Sequence, residues 1–75
     1  MSNVLDTKGF NCPIPVLKAR RAMRALEAND ELTLLATDPA SMIDVRHFCN
    51  TAGHALLSAT EDEGVFTYVI RKGET

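Results

Sequence analysis

The sequence predicts an α/β (α+β) chain: a two-layer sandwich of order β-α-β-α-β-β, with two helices on one face of a four-stranded mixed sheet. Three observations predict it. Two stretches carry apolar residues at three- and four-residue steps, each led by a proline-marked start. Two further stretches alternate apolar and polar residues around a glycine turn. The 75 residues, 45% hydrophobic and 24% charged, suffice for one small soluble domain spanning residues 1–75.

Val4 to Lys8 is short, is bounded by Gly9, and reads as a first strand. A helix follows over 14–28. At ~100° per residue, Val16, Ala19, Met23 and Leu26 fall within about 80° and form a core-facing stripe. Asn29-Asp30 supplies turn chemistry that ends it. Glu31 to Asp38 reads as a second, more buried strand. Asp38-Pro39 then starts a helix, Asp38 as N-cap and Pro39 at the first helical position. Met42, Val45, Phe48, Cys49 and Ala52 form its apolar stripe, and Gly53 stops it. "HALLSAT" and "VFTYVIRK" read as a hairpin turning at Gly64, with Phe66, Tyr68 and Ile70 alternating onto one face. The first crossover makes its two strands parallel.

Composition narrows the function classes. A formal net charge of −2 argues against a nucleic-acid binder held by bulk charge. No apolar run approaches the ~20 residues of a membrane span. The N-terminus lacks a basic and then apolar leader, so the two cysteines imply free thiols in a reducing cytoplasm. His47 and His54 share no close ligand spacing with either cysteine, so no metal and no cofactor is expected.

The informative stretch is "GFNCPIPVLKARRA", residues 9–22. Cys12 precedes Pro13, a residue favoured at the first position of a helix. Cys12 then sits at or near the N-cap, where the dipole and free N–H groups favour a thiolate. Pro15 stiffens the first turn at little cost. On the helix wheel Ile14, Leu17, Arg20, Arg21 and Arg24 span about 120°, opposite most of the core stripe. Leu17 beside Arg20 and Arg24 has the character of a docking surface, with Asp38 a further partner-contact candidate. Cys49, within an apolar stripe, reads as core.

"DTKGFNCPIPVLKARRAM" resembles the signature of the TusA/SirA family of small sulfur-relay proteins, with its Cys-Pro-x-Pro motif after a first strand. "LLATDPASMIDVRHFCNTAGHALL" and "VFTYVIRKG" resemble the rest of that family's pattern, so the likeness covers nearly the whole chain. Lys8 stands where many members have Arg. The resemblance implies a sulfurtransferase acting as a stoichiometric carrier. Cys12 would accept sulfur as a persulfide from a cysteine desulfurase and pass it to a downstream sulfur carrier, with Gly9, Pro13 and Pro15 shaping its turn. It favours tRNA wobble-uridine thiolation, while relatives also serve sulfur oxidation, cofactor sulfuration and selenium metabolism. A monomer is expected, with no direct nucleic-acid contact. Two other classes stand beside this reading: an RNA-binding module, disfavoured by an aromatic-poor sheet, and a thiol redox sensor that stops at sulfenic acid.

Overall fold

The computed structural model describes residues 3–11 and 14–73. The elements are β1 (Asn3–Thr7), α1 (Ile14–Arg24), β2 (Glu31–Ala36), α2 (Ser41–Ala52), β3 (Ala55–Asp62) and β4 (Val65–Arg71). They form a four-stranded sheet of order β1-β2-β4-β3. β1 pairs parallel with β2, and β4 runs antiparallel to both β2 and β3. Consequently β1, β2 and β3 all point the same way. Each helix returns the chain against that direction, so α1 and α2 start at the same edge, where β1 and β2 end.

One face of the sheet is buried. Leu32, Leu34 and Ala36 of β2 stand opposite Ile70, Tyr68 and Phe66 of β4, and all six belong to the core. Ala19 and Met23 of α1 and Val45, Phe48 and Cys49 of α2 close over them. Each large apolar side chain so buried contributes about 1.5–3 kcal/mol. Thr33, Leu35, Thr67 and Val69, on the opposite face, are only half-buried. Both aromatic residues of β4 therefore lie under the helices.

The helices are shorter than their periodicity suggests. α1 stops at Arg24 rather than running to residue 28. The N–H groups of Ala25 and Leu26 bond three residues back, to Ala22 and Met23 (both 3.1 Å), tightening the last turn. Leu26 is thereby kept against the core. The Asp30 carboxylate then takes the Glu27 N–H (3.0 Å), and Asn29 adopts a left-handed φ of 72°.

α2 begins at Ser41, later than the Asp38-Pro39 pair indicates. Ser41, Met42 and Ile43 donate to Asp38, Pro39 and Ala40, a 3₁₀ lead-in, and the wider α pattern opens only with Asp44 N–H to Ala40. Asp38 caps this lead-in turn, its Oδ1 accepting the Ala40 N–H at 3.0 Å. Met42 does not join the core stripe; it is exposed. Ser41 takes the inward position instead, its buried hydroxyl 2.7 Å from that of Tyr68.

Glycine is required at two turns. Gly53 ends α2 at φ 78°, and the Gly53 and His54 N–H groups converge on the Cys49 carbonyl. Glu63 and Gly64, at φ 52° and 83°, form the two-residue turn between Asp62 and Val65. In β3 the pairing slips between Leu56 and Ser58, leaving Leu57 unpaired and exposed.

The chain after β4 is tied down on both sides. Lys72 exchanges backbone hydrogen bonds with Asn29 and Asp30 (3.0 and 2.8 Å), and the Gly73 N–H donates to His54 Nδ1 at 3.0 Å. A Cβ on Gly73 would meet the Gly53 carbonyl oxygen at 2.0 Å, and backbone has little room to yield. Gly73→Ala is expected to cost about 1–3 kcal/mol, read as a fall of several degrees in thermal melting. An unchanged melting temperature contradicts this packing.

Candidate functional site: the shared edge of the two helices

The site begins with the turn that leaves β1. The Phe10 N–H bonds the Thr7 carbonyl (3.2 Å) across Lys8-Gly9, with Gly9 at φ 87°. Only a residue tolerant of positive φ suits that third position. The Gly9 N–H also donates to Thr37 Oγ1 (3.0 Å), joining the loop after β1 to the loop after β2. Cys12 and Pro13 lie outside the described residues. The residues flanking them are linked, Ile14 N–H to Asn11 carbonyl at 2.9 Å. Pro15, the second residue of α1, is fully buried and anchors the helix start.

The positive potential of this edge comes from the start of α1, which has no acidic residue in its first turn; Asp38 and Asp44 offset the pole of α2 beside it. Lys18 stands 4.9 Å from the Phe10 ring, over its face. The edge is also unusually apolar for a surface. Phe10, Ile14, Leu17, Met42 and Ile43 are all exposed, Leu17 by 54% and Ile43 by 75%.

The residues predicted as one docking surface follow one another along α1. Leu17 belongs to the apolar edge. Arg20 and Arg24, further along, also line a recess, where the Arg20 guanidinium lies 5.8 Å from the Phe48 ring centre. Asp38, half-buried, is engaged by the α2 lead-in. Sequence reasoning missed Phe10, Met42 and Ile43 at the edge. The signal available was the adjacent apolar pair Met42-Ile43 in the first turn after Asp38-Pro39, of which the helical period assigned Met42 to the core. Among the described residues no group of His, Cys, Asp and Glu could hold a metal ion, and no helix is long and apolar enough to cross a membrane.

Cys49 is 3% exposed, and burial pushes its thiol above the ordinary value. It is a poor nucleophile, as a core cysteine should be.

Residues 3–72 match the family model described as sulfurtransferase TusA. The chain belongs to the TusA family. The sulfur carrier protein TusA of Pseudomonas putida (strain GB-1) is 48% identical over 69 residues, covering 92% of this chain and 86% of that one. TusA of Allochromatium vinosum is 37% identical over 68 residues, covering 91% and 90%. A solved SirA-like protein from Desulfitobacterium hafniense superposes with a TM-score of 0.84 at 30% identity, covering 99% of this chain and all of that one. The TusA family assignment carries sulfur transfer in general, and the superposition supports the four-stranded mixed sheet with its two helices.

Two expectations follow for this TusA-family chain. In a Cys12→Ser background, iodoacetamide should modify Cys49 at least ~10-fold more slowly in the folded protein than in denaturant; mass spectrometry against time reads the two rates. The second concerns His54, whose pKa is held below its ordinary 6.5 by burial and by the charge of Lys72. Protonation of Nδ1 would also break its bond from Gly73. The unfolded chain binds this proton more readily, so the stabilisation is complete above about pH 6.5 and is lost as pH falls toward the lower folded value. Urea midpoints taken from about pH 7 to about pH 5 should decline, and His54→Gln should flatten that decline.

Proposed function

We propose that the protein is a cytoplasmic sulfur carrier in which Cys12 holds sulfur as a persulfide. The donor is a cysteine desulfurase, the acceptor a downstream carrier, and the pathway 2-thiolation of the tRNA wobble uridine. The Cys12 thiolate attacks the outer sulfur of the donor's persulfide. The donor's S–S bond breaks, its thiolate leaves, and the new S–S bond forms on Cys12. The acceptor's thiolate then attacks the outer sulfur on Cys12 and releases it as a thiolate. Electrons balance within each exchange, and no resolving cysteine is needed.

The observation that carries this reading is the Cys-Pro-x-Pro sequence at the edge where both helices begin, in a chain of the TusA family. The positive pole of α1 favours the thiolate as attacking species and leaving group. Gly9 and Pro15 fix the segments on either side, with Pro13 shaping the turn between them. The partner docks on Leu17 with Phe10, Ile14, Met42 and Ile43, and Arg20 with Arg24 and Asp38 meets it at the rim. An apolar centre with charged surroundings is how such interfaces are built.

Incubation with a cysteine desulfurase and cysteine should add about 32 Da, one sulfur, to the wild type and to Cys49→Ala, and nothing to Cys12→Ser. Leu17→Glu should slow enzymatic loading roughly tenfold, about 1.4 kcal/mol of lost docking. Chemical loading of the same variant by a small sulfide donor should persist. Loading of Cys12→Ser refutes the assignment of Cys12; unchanged enzymatic loading of Leu17→Glu refutes the docking surface.

A further inference from the structure

Beyond the docking edge, the C-terminal halves of the two helices border an open recess of about 460 Å³. Arg24 lies ten residues beyond Ile14, about 15 Å along α1. Three of the chain's eight Lys and Arg residues line this recess, Arg20, Arg24 and Lys72, and among the described residues no Asp or Glu does. In a chain of net charge −2 that is a strong local imbalance. None of the three forms an ion pair among the described residues.

Arg20, His54 and Lys72 are held rather than free. Arg20 packs over Phe48, and His54 meets the same ring edge to face at 5.4 Å. His54 Nδ1 accepts the Gly73 N–H, which leaves the ring proton on Nε2 as a donor. Lys72 Nζ donates to the Leu26 carbonyl, which fixes its ammonium beside α1. Cations near a helix C-terminus offset the dipole. That role needs neither an arginine braced on an aromatic ring nor a histidine donor in the same cavity.

We propose that this recess binds a phosphate monoester. Two braced cations, the exposed guanidinium of Arg24 and one neutral N–H match a tetrahedral dianion better than a monoanionic carboxylate. Arg20 and Arg24, one turn apart, can share its oxygens. The volume exceeds what a bare phosphate fills, and Met23 in the lining offers apolar contact to the organic group. The cations cluster in one recess instead of running in a line, which suits a terminal phosphate better than the continuous backbone of a nucleic acid.

The test is a nuclear magnetic resonance titration of the whole chain with phenyl phosphate, inorganic phosphate, phenol and a short single-stranded RNA. Phenyl phosphate should give saturable shifts at Arg20, Arg24, His54 and Lys72. Inorganic phosphate should bind more weakly at the same residues, and phenol should not bind. Arg24→Gln should weaken phenyl phosphate by about tenfold or more, Arg24→Lys should restore part of the loss, and Lys18→Gln should change nothing. Arg24 is exposed, so these variants should keep the wild-type melting temperature. Absence of saturable shifts up to about 20 mM, shifts centred on the start of α1, or an unaffected Arg24→Gln overturns the proposal. RNA binding in preference to phenyl phosphate overturns it as well.

Discussion

Tyr68 stands opposite Leu34 in the middle of the sheet, with Ala59 on its other side and its hydroxyl 2.7 Å from that of Ser41. One buried ring thus touches the register of three strands and the first turn of α2. Phe66 stacks near it, ring centres 6.4 Å apart. If β4 slipped by one residue, every inward side chain on it would turn to the opposite face, and the Ser41 hydroxyl would lose its partner in a buried site. Burial pushes the Tyr68 hydroxyl above its ordinary pKa, against a smaller downward pull from Ser41 and Arg46, so it stays a neutral hydrogen-bonding group. Among the described residues every buried side-chain polar atom has a hydrogen-bond partner, the condition under which such a bond specifies a fold instead of weakening it.

From that register the position of the site follows. With β4 inserted antiparallel between β2 and β3, the connection from β2 to β3 must cross over, and α2 is forced to start beside α1. Two helix N-termini then share one edge with the loop that holds the cysteine motif. The Gly9 to Thr37 hydrogen bond joins the two loops there. In a chain of net negative composition, the start of α1 keeps its positive pole because no acidic residue stands in its first turn, while Asp38 and Asp44 offset the pole of α2.

Local signals in the sequence were strong where chemistry is local. Gly53, Gly64, the alternation of Phe66, Tyr68 and Ile70, and the Cys-Pro-x-Pro run each announce themselves within a few residues. Legibility fell where the deciding partner is distant. Ala25 and Ala28 are good helix formers, yet the contacts of Leu26 with the core and of Asn29 and Asp30 with Lys72 end α1 early. Met42 fits the helical period, but Ser41 has the partner, Tyr68, 27 residues away. Strand order depends on where the last hairpin inserts, which no window of sequence records. The recess is assembled from α1, α2 and the segment after β4, so His54 and Lys72 read as surface residues until the chain is folded.

The slipped pairing at Leu57 bears on how the molecule behaves among its neighbours. The extra residue lets Leu56 and Ala59, three apart, both face the helices, and it bends the strand at the rim of the sheet. A straight rim would offer another chain a row of unpaired N–H and C=O groups to extend the sheet. The kink, followed by the acidic run Glu61-Asp62-Glu63, makes that rim a poor template. Strand-to-strand capture at the β3 rim is thereby discouraged, whereas contacts through the helix edge can form and dissolve without altering the sheet.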